Sequence, residues 1–120
     1  MQGVSKESPS EKEMFIDYLQ KKDNGLIVKF TADWCGPCKR SKPFIEENLR
    51  KLDNSIKYLE IDVDESLEVY GFLKAKRMVT TIPCLLYYKK DTREIWPEHI
   101  ISSSSKSDID RFFEYCRNNK

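Results

Sequence analysis

The 120-residue chain lacks any long hydrophobic run: no stretch approaches the roughly 18 apolar residues of a membrane-spanning helix. Positions 1 to 30 also lack a cationic region followed by an apolar one, so no export signal is read there. Charge of one sign is not in excess. Lysine plus arginine total 21 against 20 acids, which argues against a protein that coats nucleic acid or holds an anionic membrane by a cationic surface. Cysteine is sparse as well: four residues are too few for a disulfide scaffold in a chain of this length. Internal repeats are absent. The expectation is a soluble, cytoplasmic, single-domain protein that can bury its own core, with neither nucleic acid nor membrane among its partners.

What is present is an alternation of helical and extended patterns. The first nine residues, MQGVSKESP, carry no apolar face and read as a flexible arm ahead of a domain over 10–120. Ser10 and Glu13 have the spacing of a capping box, and Met14, Phe15, Tyr18 and Leu19 share a helical face that ends at Asn24-Gly25. LIVKFTA, residues 26–32, is short, apolar and β-branched, as a buried central strand would be. From Pro37 to Leu52 the positions of Phe44, Ile45, Leu49 and Leu52 are helical, with Pro37 in the first turn where its missing N–H does no harm. Ile56 to Val63 reads as a second strand, and Ser66 to Lys76 as a helix with Leu67, Tyr70 and Leu73 on one side. CLLYYKK and REIWP are expected to form an antiparallel hairpin joined at Lys90-Asp91-Thr92. After the polar linker Ser102 to Ser105, a helix over Asp108 to Cys116 turns Ile109, Phe112 and Phe113 inward. The order α-β-α-β-α-β-β-α predicts an α/β fold: a mixed sheet of about four strands, or five if a weak N-terminal strand forms, flanked by about four helices.

Within this frame one stretch carries chemistry: DWCGPCKR, residues 33–40. Such a pair of thiols serves as a metal clip, a structural staple or an electron carrier. Structural zinc needs a second Cys/His pair at comparable spacing, but Cys84, His99 and Cys116 lie 15 and 17 residues apart in different elements. No resident metal or cofactor is therefore expected, and a reducing compartment disfavours the staple. Cys35 falls at a helix N-terminus, where unpaired N–H groups and the helix dipole favour thiolate over thiol. Cys38, one turn further in, is placed to resolve a mixed disulfide formed by Cys35. Lys39 and Arg40 add positive charge nearby. Cys116 reads as a small apolar residue on the last helix, and His99 as a surface residue.

The stretch LIVKFTADWCGPCK, with Pro43 five residues after Cys38 and TIPCLLYYKK later on, closely resembles the thioredoxin family over about residues 10 to 117. The resemblance implies a thioredoxin fold and reversible dithiol–disulfide exchange through the redox-active pair Cys35 and Cys38. It also implies that a cis proline at Pro83 lies against that pair and that Ile82 offers backbone groups to an extended substrate segment. Trp34, Gly36 and Pro37 would complete the substrate groove. The Gly-Pro between the cysteines is similar to that of reducing members, so protein disulfides are the expected substrates. A thioredoxin-reductase-like donor would recharge the protein, which is expected to work as a monomer.

The resemblance breaks at three positions expected to tune the pair. Where the family has a buried carboxylate six residues before the first cysteine, this chain has Lys29. The lysine that faces that acid aligns with Tyr58, which implies a Lys-Tyr couple in place of the charge pair. The residue after the proline is Cys84, expected near the active sulfurs. Past the hairpin, Ile100 to Ser102 replace a groove glycine with bulkier residues. Two other classes of function stay open on these residues: a redox-weak module that binds one partner through the groove, and a metal or cluster binder using Cys35, Cys38 and Cys84 across a dimer.

Overall fold

The computed structural model describes residues 10–120; the expected N-terminal arm, and any strand within it, lie outside the described residues. Helix α1 (Glu11–Lys21) starts where both halves of the capping box form. Ser10 Oγ accepts the Glu13 N–H at 3.1 Å, and Ser10 N–H donates to Glu13 Oε1 at 2.9 Å, so two donors without helical partners are satisfied. Phe15 and Leu19 are buried beneath it, while Met14 and Tyr18 of the same expected face stay exposed.

Four strands, β1 (Gly25–Thr31), β2 (Ile56–Asp62), β3 (Cys84–Tyr88) and β4 (His99–Ile101), form one sheet in the order β2-β1-β3-β4. β1 runs parallel to β2, with Gly25 opposite Ile56 and Thr31 opposite Asp62, and α2 (Gly36–Arg50) makes the crossover between them. β3 returns antiparallel, Phe30 facing Cys84, and β4 pairs antiparallel with β3. The mixed four-stranded sheet and four helices agree with the architecture expected from the sequence, in the same order along the chain.

β1 is central, and its alternation builds a core on each face. Leu26, Val28 and Phe30 pack with Phe15 and Leu19 of α1 and Val69 and Leu73 of α3 (Leu67–Ala75). On the other face Ile27 packs with Ile45 of α2 and with Ile109, Phe112, Phe113 and Cys116 of α4 (Lys106–Asn118). Lys29 has the parity of Ile27. Leu67, expected inward with Tyr70 and Leu73, is instead exposed, and Val69 takes the buried place.

The hairpin differs from expectation in its second strand. REIWP is irregular, and the segment that pairs with β3 is His99–Ile101. Pro97 has no N–H to give a ladder, and Glu98 organises the detour around it: its N–H donates to Tyr87 O at 2.8 Å, and its carboxylate accepts from Lys89 N–H and from Thr92 Oγ1. Ile95 packs against the core, and its carbonyl accepts the Tyr88 hydroxyl at 2.8 Å.

Candidate active site

The apolar strand β1 ends at Thr31, and after Ala32, Asp33 and Trp34 the chain turns at Cys35 into α2. Cys35 N–H donates to Ala32 O at 3.2 Å, and Cys35 becomes the N-cap of the helix. Its Sγ accepts the Cys38 N–H at 3.2 Å, taking the place that a capping oxygen occupies in other helices. Pro37 stands in the first turn, and no acid is present there to oppose the positive helix end. A disulfide joins Cys35 to Cys38, with 5.2 Å between their Cα atoms. The two cysteines are 4% and 2% exposed, so burial hardly separates them. What separates them is the cap position, which only Cys35 holds.

Two further segments meet this helix end. Past β2, Asp64 accepts the indole N–H of Trp34 at 2.8 Å, and Asp64 is itself held by its N–H donating to Asp62 Oδ1. Trp34, 67% exposed, is thereby anchored at its polar tip while its ring faces solvent beside Gly36. Asp64 was not singled out from the sequence, where no spacing or motif links it to a tryptophan 30 residues earlier. From the other side, Arg77 with φ 63° reverses the chain after α3, and Met78 and Val79 enter the core. The chain then reaches Ile82–Pro83, whose peptide bond is cis as the resemblance implied. The Ile82 carbonyl oxygen lies 3.9 Å from Cys35 Sγ.

The three expected tuning residues fall on two sides of the sheet. Cys84, fully buried, joins Cys35, Cys38, Phe30 and Ala32 in one apolar cluster. Its Sγ is 3.9 Å from Met78 O, and burial pushes its thiol up to about 11, with a bond to the Ser102 side chain acting against that. A thiol so protonated is a poor nucleophile at neutral pH. Lys29 is on the opposite face and does not reach solvent along the sheet: its side chain is 3% exposed, with Glu60 Oε2 at 3.9 Å. Desolvation lowers its pKa, Glu60 opposes this, and Lys42 and Glu46 of α2 add smaller effects of opposite sign. The pairing is Lys29 with Glu60 rather than the expected Lys29 with Tyr58, because the β1–β2 register sets Lys29 opposite Glu60 and Ile27 opposite Tyr58. Tyr58 is half-buried, and desolvation, then Glu60 and Glu46, raise its phenol.

Of the residues read as bystanders, Cys116 is buried in the α2/α4 core, and desolvation raises its thiol. His99 is half-buried rather than on the surface, stacked on Phe112 at 5.4 Å between ring centroids and tilted on Tyr115 at 4.6 Å. Away from the cysteines, a groove of about 560 Å³ runs where α1 and α3 meet the edge of β2, lined by Met14, Tyr18, Leu59 and Val69 among others. It contains no thiol, so the redox chemistry lies elsewhere, at the N-terminus of α2.

Comparison with known proteins agrees with this geometry. The family model Thioredoxin matches residues 6–114. The thioredoxin of Rickettsia bellii is 32% identical over 83 residues, covering 66% of this chain and 75% of its own length. Thioredoxin 1 of Plasmodium falciparum is 38% identical over 74 residues, 62% of this chain and 66% of that protein. The mouse (Mus musculus) thioredoxin is 40% identical over 68 residues, 57% and 60% of the two chains. Among solved structures, a Plasmodium falciparum thioredoxin superposes with a TM-score of 0.68 at 29% identity, covering 90% of this chain and 95% of that one. The thioredoxin of Malassezia sympodialis has the same TM-score at 18% identity over 88% and 87% of the chains, which speaks to the fold alone. A capped cysteine pair at the end of a central strand, a cis proline against it and a family match over most of the sequence lead to one conclusion: this chain belongs to the thioredoxin family and is a protein-disulfide oxidoreductase.

Proposed function

We propose that the protein works as a reductant of protein disulfides, with Cys35 as the attacking thiolate and Cys38 as the resolving thiol. The observation that carries this assignment is the hydrogen bond from Cys38 N–H to Cys35 Sγ at the N-cap of α2. It stabilises negative charge on Cys35 and, among the described residues, has no counterpart at Cys38. In the first step the Cys35 thiolate attacks one sulfur of a substrate disulfide: a Cys35–substrate bond forms, the substrate S–S bond breaks, and the electron pair leaves on the far sulfur. Cys38, once deprotonated, attacks Cys35 Sγ. That forms the Cys35–Cys38 disulfide and frees the second substrate sulfur, so the substrate gains two electrons and the protein loses two.

Trp34, Gly36, Pro37, Ile82 and Pro83 form the substrate groove in this reading. Its support is the exposure of Trp34 and Gly36 at the helix end and the approach of Ile82 O to Cys35 Sγ. In this reading Cys84 tunes the pair from the apolar cluster it shares with both cysteines, and Lys29 and Tyr58 tune it from the opposite face of the sheet. A second dithiol protein of the thioredoxin-reductase kind returns the electrons, and the protein acts as a monomer in the cytoplasm, with residues 10–120 as its working unit.

The experiment is mixed-disulfide trapping. Cys38→Ser is expected to accumulate a covalent adduct with a disulfide substrate through Cys35, and Cys35→Ser to form none and to lose turnover. Adducts that form through Cys38 in the Cys35 variant would reverse the assignment. Failure of the wild type to reduce disulfides would point instead to a module that binds through its groove without using the pair.

A further inference from the structure

A cation without an acid partner stands over the attacking end of α2. Gly36 and Arg40 are one helical turn apart, at i and i+4, and side chains on a helix lean toward its N-terminus. The Arg40 guanidinium accordingly folds back over Gly36: a Cβ placed on that glycine would meet Arg40 Nη1 at 3.5 Å. Gly36 is exposed and bears no side chain, so the charge lies over the open backbone of the residue that follows Cys35 in the chain.

Three of the five other arginines are engaged. Arg50 pairs with Glu47 at 3.0 Å, Arg111 with Asp108 at 2.7 Å, and Arg93 donates to the Lys22 carbonyl. Among the described residues Arg40 has neither an ion pair nor a hydrogen bond from its side chain. Arg77 and Arg117 make no side-chain ion pair or hydrogen bond among the described residues either, but Arg77 follows α3 and Arg117 lies on α4, away from the head of α2. Among the described residues no acid, the exposed Asp33 included, comes within ion-pair distance of Arg40. Residues 36–45 include Lys39, Arg40 and Lys42 and no Asp or Glu, and Asp64 is already bonded to the Trp34 indole. A guanidinium is built for bidentate contact with a carboxylate, and here it is exposed over Gly36, at the helix end that Cys35 caps, with no partner among the described residues.

We infer that Arg40 is a specificity residue: it selects protein disulfides that carry an aspartate or glutamate next to the target cysteine. The inference rests on the assignment of Cys35 as the attacking residue. Arg40 exchanges no electrons; it holds the substrate carboxylate while the sulfur chemistry proceeds as above. A contact this exposed to water is worth about two- to fivefold in rate and weakens as salt rises.

The test uses the reduced full-length protein and three disulfide peptides that differ only in a Glu, Gln or Lys adjacent to the cysteine. Single-turnover rates are measured at low and high salt. For the wild type the order Glu over Gln over Lys is expected at low salt, with the spread shrinking at high salt. Arg40→Gln should abolish most of the spread, and Arg40→Glu should invert the order. Equal rates on all three peptides in the wild type, or the same order in Arg40→Gln, would overturn the inference while leaving the reductase reading intact. A uniform slowing of all three peptides in Arg40→Gln would also overturn it, since that would make the cation a general stabiliser of the thiolate. Failure of the wild type to reduce any peptide would remove the reductase reading itself.

Discussion

Lys29 Nζ lies 3.9 Å from Glu60 Oε2 across the β1–β2 register, with the lysine side chain buried and the glutamate half exposed. A cation is thus held in the central strand that leads to the redox pair, on the face covered by α2, where the related proteins of the resemblance carry a carboxylate. The burial lowers its pKa, and the pair reaches water only through Glu60.

Lys29→Met keeps the apolar stem and removes the charge. It is expected to raise the pKa of at least one active thiol and to slow resolution of the mixed disulfide at neutral pH, read by thiolate absorbance against pH and single-turnover kinetics. The stability of the wild type should gain on that of the variant with rising pH. Because the folded pKa is depressed, the unfolded chain binds more protons between that lowered value and about 10.4, so stability rises with pH across that window. Superimposable titrations, equal rates and parallel stability profiles would leave Lys29 without a role in the chemistry.

Cys84 predicts the opposite slope in the oxidised protein. Its thiol is raised from 9.0 to about 11 in the fold. The folded state therefore keeps a proton that the unfolded chain gives up. The stabilisation is complete below the unfolded value and is lost as pH rises through the folded one, roughly 2–3 kcal/mol for a shift of this size. Cys84→Ala should flatten the fall in stability between about pH 9 and 11 relative to wild type, as measured by denaturant unfolding at fixed pH. Mild oxidation of the reduced wild type should yield only the Cys35–Cys38 disulfide by mass mapping. A sizeable Cys35–Cys84 species would show that the thiol is reachable after all.

Lys22 makes a prediction about the loop rather than the chemistry. Its ammonium, buried at the end of α1, donates to the carbonyls of Lys89 and Lys90, and its own carbonyl accepts from Arg93. Lys22→Met should cost about 1–3 kcal/mol through the two carbonyls left without a donor, lowering the urea midpoint with an unchanged m-value. Disulfide exchange should survive, since this loop is remote in sequence and bonding from Cys35. A loss of exchange at unchanged stability would show that the loop is coupled to the site.

The features legible in the sequence were those decided within a turn or two of chain. The Ser10–Glu13 box, the apolar run of β1, and Cys35 with Pro37 at the head of α2 each depend on neighbours one to four residues away. Their spacing was enough to place a redox pair at a strand end. The REIWP strand was misread because its β-like residues gave a local signal, whereas Glu98 and Pro97 reshaped that loop against Tyr87 and Lys89. Leu67 and Val69 show the same limit on α3: periodicity offered a face, and packing against α1 and β1 chose which residues to bury.

By itself, then, the sequence determined the order of elements, the starts of α1 and α2 and the chemistry of the cysteine pair, because propensity, capping and hydrophobic period act over a few residues. Only the tertiary structure decided that Asp64 would hold Trp34, that the Ile82 carbonyl would come to Cys35, and that Lys29 would answer to Glu60 rather than Tyr58. Those partners are separated by 30 or more residues in sequence. Their meeting depends on the parallel register of β1 and β2 and on the turn at Arg77, and sheet register is set by the burial of both faces at once, a property of the packed molecule and not of any one segment.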